Sequence, residues 1–503
     1  MRSESFFSFT LRSITLIGAV FLLCSTARSE SLADLAEKQN WSEVTSLLTA
    51  EADTTVTQVD GTTALHWAAY HDQTDVVKKL LAAGAKAEVA NRYGITPLLL
   101  ACQNGNADIV MMLLDAGANV NATQRGGESA LMIAARTGKV ETVKALLDQD
   151  AKIELKDHSG QTALMWAAAA GNAEVVSLLV ERGADLNHRL QSGFTALLFA
   201  AREGKSTVVR VLLAAGADVQ EAIVTENEAK GRAAPNGASG VLLAAENGYF
   251  ELAMELIRAG ADPNDMRSGF TVLHCLSNVR KPPRGDDEAG QPPPETTGKL
   301  SSLDFIRQIV ASGADVNRPL GESVKGLGLI DYHGATPFLL ACKTADLPMM
   351  QLLVELGADP ETTNHRQTTS LMAAAGLACS APDEEPGTEE ECVAACEYLI
   401  SLGADVNAVD NRGETAMHGA AYKSLPKVAK LLAAHGAKIN VWNRKNNKGW
   451  TPLLIAQGFR PGNFKPSAPT IVAISEVMRA SGVEPPPAPD RDSIPKKKGY
   501  DNP

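Results

Sequence analysis

The chain is poor in the residues that do chemistry or fill a large core. Aromatic side chains make up 5% of its 503 residues, and it holds seven cysteines and nine histidines. No H-E-x-x-H, paired C-x-x-C or C-x-x-C-H is present, so neither a zinc site nor c-type haem attachment has a basis in the sequence. There is no G-x-S-x-G, and no segment sets Ser, His and Asp together in a recognisable context, which leaves hydrolysis without visible machinery. Positive charge is not in excess either: the net charge is −12, whereas nucleic-acid binding calls first for a basic field. These absences predict a non-enzymatic protein with no cofactor, no metal and no nucleic-acid partner.

Long apolar runs are also missing. The run from Ile14 to Leu23, "ITLIGAVFLL", holds 10 residues, too short to span a bilayer and of the length of a signal h-region. Arg2 and Arg12 precede it, and Ala27 and Ser29 supply small residues at the −3 and −1 positions of a cleavage site. Residues 1–29 therefore read as a secretory signal, with an uncleaved anchor as the alternative. Cys24 follows the bulky Phe21, Leu22 and Leu23, which argues against a lipobox. No later stretch is long enough to cross a membrane, so the expected product is exported, periplasmic or secreted, without stable membrane insertion after cleavage. The sequons at Asn40 and Asn121 matter only in a eukaryotic secretory route.

What the chain has in abundance is Ala, Leu and Gly in repetition. "GITPLLLACQNGNADIVMMLLDAGANVNAT", from Gly94 to Thr123, returns 33 residues later as "GESALMIAARTGKVETVKALLDQDAKIELK" and again as "GQTALMWAAAAGNAEVVSLLVERGADLNHR". A unit opens on Gly and a T-P-L-H-like turn, continues as a short Ala-rich helix, and then gives a second helix with apolar pairs such as Val76, Val77, Leu80 and Leu81. Such a pattern leaves one face to bury. Gly84, Gly117, Gly183 and Gly216 supply the left-handed residue that ends the second helix.

These residues resemble the ankyrin repeat, in register over about eleven units. The resemblance implies an all-α fold: a solenoid of stacked helix–turn–helix units with β-hairpin fingers. Unit starts fall at Gly61, Gly94, Gly127, Gly160, Gly193, Gly237, Gly269, Gly334, Gln367, Gly413 and Gly449. Residues 30–60, which show only the second-helix pattern "WSEVTSLL", read as an N-terminal capping half-repeat, 61–482 as the repeats, and 483–503 as a disordered tail. Insertions interrupt the period near 220–236, 279–300, 318–333 and 379–392. Long loops on a rigid scaffold are either binding elements or decoration, and the sequence leaves both open.

His66, His274 and His418 occupy the place that the ankyrin pattern reserves for a histidine bonding neighbouring turns. Leu99, Met132, Met165 and Leu198 stand there in other units, as a packing position tolerates. The resemblance also implies a partner-binding face of finger tips and inner-helix ends, and with it a protein partner and a monomeric chain. Two residues before the turn glycine, the tips carry Arg92, Arg125, His158, Arg267 and His365, a row of cations suited to an acidic partner. Phe194, Phe270 and Trp450 follow the glycine as candidate exposed anchors, and the helix ends add Tyr70, Arg136, Arg202 and Tyr422. A receptor for a small anion or acidic polysaccharide, and a hydrolase with an unrecognised site, stay open as alternatives.

Cys379 and Cys392 bracket an acidic insertion where two antiparallel helices approach, and export would favour a disulfide there. Closing that loop is worth roughly 3 kcal/mol in a chain-entropy model. Cys396 is the competing partner, and Cys102 and Cys342 read as buried thiols in small-residue positions.

Overall fold

The computed structural model describes residues 30–225, 236–282, 294, 298–322, 331–377, 379, 382, 385–459 and 465–488. The predicted signal, most of the insertion stretches (226–235, 283–293, 295–297, 323–330) and the end of the tail lie outside them. Among the described residues there are 25 helices and no strands.

One repeat shows how sequence becomes structure. Thr96 stands before Pro97–Asn104 with extended backbone and accepts from the backbone N–H of Leu99, and Pro97 takes a first-turn position where its missing N–H costs nothing. Gly105, at φ 76°, stops the helix. The chain then reverses into Ala107–Asp115, which buries Ile109, Val110, Leu113 and Leu114. Ala101 and Cys102 are fully buried, and their small side chains let the next layer approach. Each fully buried Leu or Ile contributes about 1.5–3 kcal/mol, but only once a neighbouring pair covers it.

The chain divides into two compact units, meeting at Arg125 and Gly126. In the first, inner helices Leu32–Glu37, Ala64–Tyr70 and Pro97–Asn104 pack in succession, as do the outer helices Trp41–Thr49, Thr74–Ala82 and Ala107–Asp115. In the second, the inner row runs from Ala130–Thr137 through Ala163–Ala170, Ala196–Arg202, Gly240–Glu246, Val272–Arg280, Pro337–Lys343, Ser370–Ala374 and Ala416–Tyr422 to Pro452–Ala456, each packed on the next. The final helix, Ala468–Ala480, covers Pro426–Ala434.

Two expectations need correction. Residues 30–60 form a full helix pair rather than a half-repeat: Ser31 and Asp34 make a capping box, and Leu32, Ala33, Leu35 and Ala36 are buried. The first helix was hidden because it carries no T-P-L-H turn. Among the described residues the fingers are closed by tight turns, with one antiparallel bridge, Ala222 to Ser239, and no strand hairpins. Typically the fifth residue before the helix cap closes the tip through Asn or Asp: Asn91 Oδ1 accepts from the N–H groups of Tyr93 and Ile95, and Asp157, Asn364, Asp410 and Asn446 repeat the device. At Gly334, φ is 80° and an added Cβ would lie 3.0 Å from the His365 backbone N, so tip glycines allow fingers to stack. Gln367 holds the same place at φ 62° without that freedom.

Candidate functional site

The repeat histidines tie layers together. His66 Nδ1 lies 2.7 Å from Thr63 Oγ1 and its Nε2 3.0 Å from the carbonyl of Ile95 in the next finger. His274 makes the same bridge, to Thr271 Oγ1 at 2.8 Å and to the Ala335 carbonyl at 3.3 Å. Burial pushes the His274 and His418 imidazoles down to about 4. Among the described residues, no group of three or more His, Cys, Asp or Glu could hold a metal ion, and no helix is long and apolar enough to cross a membrane.

The fingers are joined by backbone bonds: Arg92 N–H donates to the Asp60 carbonyl at 2.7 Å, and His365 N–H to that of His333 at 2.8 Å. Their side chains differ sharply in what they leave available. Arg92, Arg125, His158, Arg267 and His365 are all exposed. Arg267, however, grips Asp265 at 2.7 Å and also donates to the Gln220 carbonyl, so its charge is spent internally. His365 lies against the His333 ring, with centroids 4.6 Å apart. Arg92 and Arg125 instead flank Tyr93: the guanidinium carbons sit 5.0 and 5.9 Å from its ring, and Arg92 donates to the Tyr93 hydroxyl at 2.7 Å. Neither arginine pairs with a carboxylate among the described residues. Sequence reasoning missed Tyr93, which lies one residue past the basic tip position; an aromatic next to Arg92 was its signal.

Tyr70, in the same unit, is an exposed anchor as expected, with 46% of its surface free. It is held from behind: its ring meets His71 edge-on at 4.9 Å, and His71 stacks on Trp67 and meets Trp41. This fixes an exposed ring at little entropic cost.

Two other anchors move to the interior. Phe194 is buried, 4.9 Å from Phe199, because Arg202 folds its guanidinium over both rings. Tyr422 is 1% exposed and donates to Glu414 at 2.8 Å, which also accepts from Asn446. Phe270 and Trp450 are half-buried, the latter under Lys448. Arg136 is exposed over Trp166 at 5.2 Å.

All six cysteines among the described residues are buried. The Cys392 sulfur lies 3.5 Å from Lys423 Nζ and 3.8 Å from the Gly387 carbonyl.

The sequence also gave no hint of Glu246, at the end of an inner helix, whose carboxyl is pushed by burial up to about 7. Its folded value lies above its unfolded one, so the stability it supplies below pH 4.5 is lost as pH rises through 7. Glu246→Gln is expected to raise the thermal midpoint at pH 8 and leave it unchanged at pH 4. Equal shifts at both pH values would show that the charge is not the cause.

Comparison with protein families rests on this scaffold. The model for ankyrin repeats in three copies matches residues 32–124, 76–157, 131–223 and 388–463, and the single-repeat model matches 333–365. The chain belongs to the ankyrin-repeat family. It is 32% identical over 171 residues to human neurogenic locus notch homolog protein 1, covering 34% of this chain and 6% of that protein. It is 32% identical over 221 residues to the mouse B-cell lymphoma 3 protein homolog, covering 38% and 43%. It is 35% identical over 143 residues to the armadillo ankyrin repeat, SAM and basic leucine zipper domain-containing protein 1 (Dasypus novemcinctus), covering 28% and 25%. The chain thus spans less than half of each of these relatives. Ankyrin repeats imply a scaffold for protein–protein interaction, with a protein partner.

Proposed function

We propose that this ankyrin-repeat chain is a non-enzymatic adaptor acting outside the cytoplasm, and that it grips an acidic protein segment through the first unit. The observation that carries the reading is the Arg92–Tyr93–Arg125 tip, two cations on one exposed ring, neither of them in a salt bridge among the described residues. Tyr70, backed by Trp67 and His71, adds an exposed anchor in that unit. Arginine and tyrosine held rigid in this way are the residue types that dominate binding energy at interfaces.

The test is affinity capture from an extracytoplasmic extract with residues 30–503 as bait. A protein retained by this bait should be lost with Arg92→Glu/Arg125→Glu and retained with Arg267→Glu, because Arg267 is already paired. Retention by the Arg92/Arg125 variant would move the site elsewhere. Export predicts a mature N-terminus at Glu30, readable by N-terminal sequencing. It also favours closure of Cys379–Cys392 in an oxidising compartment. The unfolded mature protein would then titrate as four thiols, and a count of six would sink that pairing.

A further inference from the structure

Three lysines from different repeats converge on one short segment of the chain. Lys281, Lys343 and Lys423 each stand at the C-terminal end of an inner helix, those of Val272–Arg280, Pro337–Lys343 and Ala416–Tyr422. Lys343 Nζ meets Glu385 at 3.0 Å, with both side chains nearly buried, and Lys281 Nζ meets Glu391 at 2.6 Å. Lys423, itself 5% exposed, donates to the Pro386 carbonyl. Between these contacts Gly387 runs so close that an added Cβ would lie 3.0 Å from Ala345 Cβ and 3.1 Å from Lys423 Nζ. Thr388 and Glu391 then cap the helix Glu389–Ser401.

We propose that Lys281, Lys343 and Lys423 form a docking surface for an acidic peptide of a protein partner, and that residues 385–391 are a built-in occupant which such a peptide must displace. The complementarity is specific. Two carboxylates and a main-chain carbonyl, spaced along seven residues, each meet one ammonium group, and the segment passes through Pro-Gly to follow the surface. Oxygen partners favour the charged lysine: burial alone would lower Lys343, but Tyr332 and Glu385 raise it. A tethered segment acts at an effective concentration of order millimolar, so the surface is closed to weak competitors and open to a partner that binds it better. This second surface deepens the adaptor reading and uses none of its first-unit residues. Capture lost through Arg92 and Arg125 therefore leaves it standing.

The probe is a labelled peptide, acetyl-Glu-Glu-Pro-Gly-Thr-Glu-Glu-Glu-amide, the sequence of residues 384–391, titrated into the full chain at low salt. Glu385→Gln/Glu391→Gln, which weakens the built-in occupant, is expected to bind it about tenfold or more tightly than the natural chain. Adding Lys343→Glu should abolish the gain. A folded double variant, shown by an unchanged circular-dichroism melt, that binds no better than the natural chain overturns the proposal. Should the double variant fail to fold, the natural chain decides. Millimolar peptide is expected to expose the buried Cys392 in the reduced chain, and the rate of its alkylation there, read by mass spectrometry, should rise severalfold. An unchanged rate overturns the proposal.

Discussion

Asp346→Ala is expected to lower the unfolding free energy by about 3–5 kcal/mol, the usual cost of breaking a buried pair by removing one partner. Asp346 is 1% exposed, and Arg280 reaches it with two bonds, from Nε at 2.6 Å and Nη2 at 3.0 Å. The same carboxylate caps the helix Leu347–Glu355 through the Met349 N–H. Arg280 also donates to Ser302, at the start of the helix Ser302–Ala311. One carboxylate thus holds an inner helix, its own outer helix and the outer helix of the next repeat. Without it a guanidinium, 16% exposed, stays in the interface with no counter-charge. Urea melts of Asp346→Ala and Asp346→Asn check the assignment. The Asn variant keeps a capping oxygen and should lose less; equal losses would leave the cap no share of the effect, and a loss under about 1 kcal/mol in Asp346→Asn would deny the pair its role.

Acid should weaken the second unit through its histidines. His274 and His418 have folded values of about 4 against an ordinary value of 6.5. A base lowered in the folded state binds its proton in the unfolded chain first, so stability is complete above pH 6.5 and is lost as pH falls toward 4. The loss amounts to about 3 kcal/mol for each histidine once pH is below about 4 and both states are protonated. Burial sets the direction, and the geometry agrees with it: in both, Nδ1 accepts from the N–H of the threonine that caps its helix, at 3.3 Å for Thr271 and 3.2 Å for Thr415. A proton on Nδ1 would face that donor. Glu246 acts in the opposite sense, its stability rising as pH falls through 7, so the histidine contribution is read as a difference. His274→Leu and His418→Met follow residues found at the same place in other repeats, and each should flatten the dependence between pH 6.5 and 4. Proton resonances of the two imidazoles titrating near 6.5 in the folded protein would end the argument.

The period of 33, the apolar pairs of the outer helices and the glycine stops were all readable, because each is a local rule obeyed within one repeat. The capping histidines were readable for the same reason. The helix Leu32–Glu37 was not, since its turn lacks the repeat's signature while its burial depends on the next helix pair.

At the candidate site the division is sharper. Sequence placed Arg92, Arg125 and Arg267 on equal terms, and the structure separates them: Arg267 turns to Asp265, only two residues away, while Arg92 and Arg125 turn to Tyr93. It placed Phe194 outside the core, but the side chain folds inward against Phe199. A turn position fixes where a Cα lies and not which way a flexible side chain goes.

The sequence by itself determined the repeat, the all-α helix pairs, the turn glycines and the acidic balance, because these follow from periodicity and backbone preference over a few tens of residues. Only the tertiary structure decided that Asp346 joins Arg280 across 66 positions and that residues 385–391 of the acidic insertion lie on lysines of three repeats. Stacking brings such groups together across long separations, and their charges must find partners once water is removed.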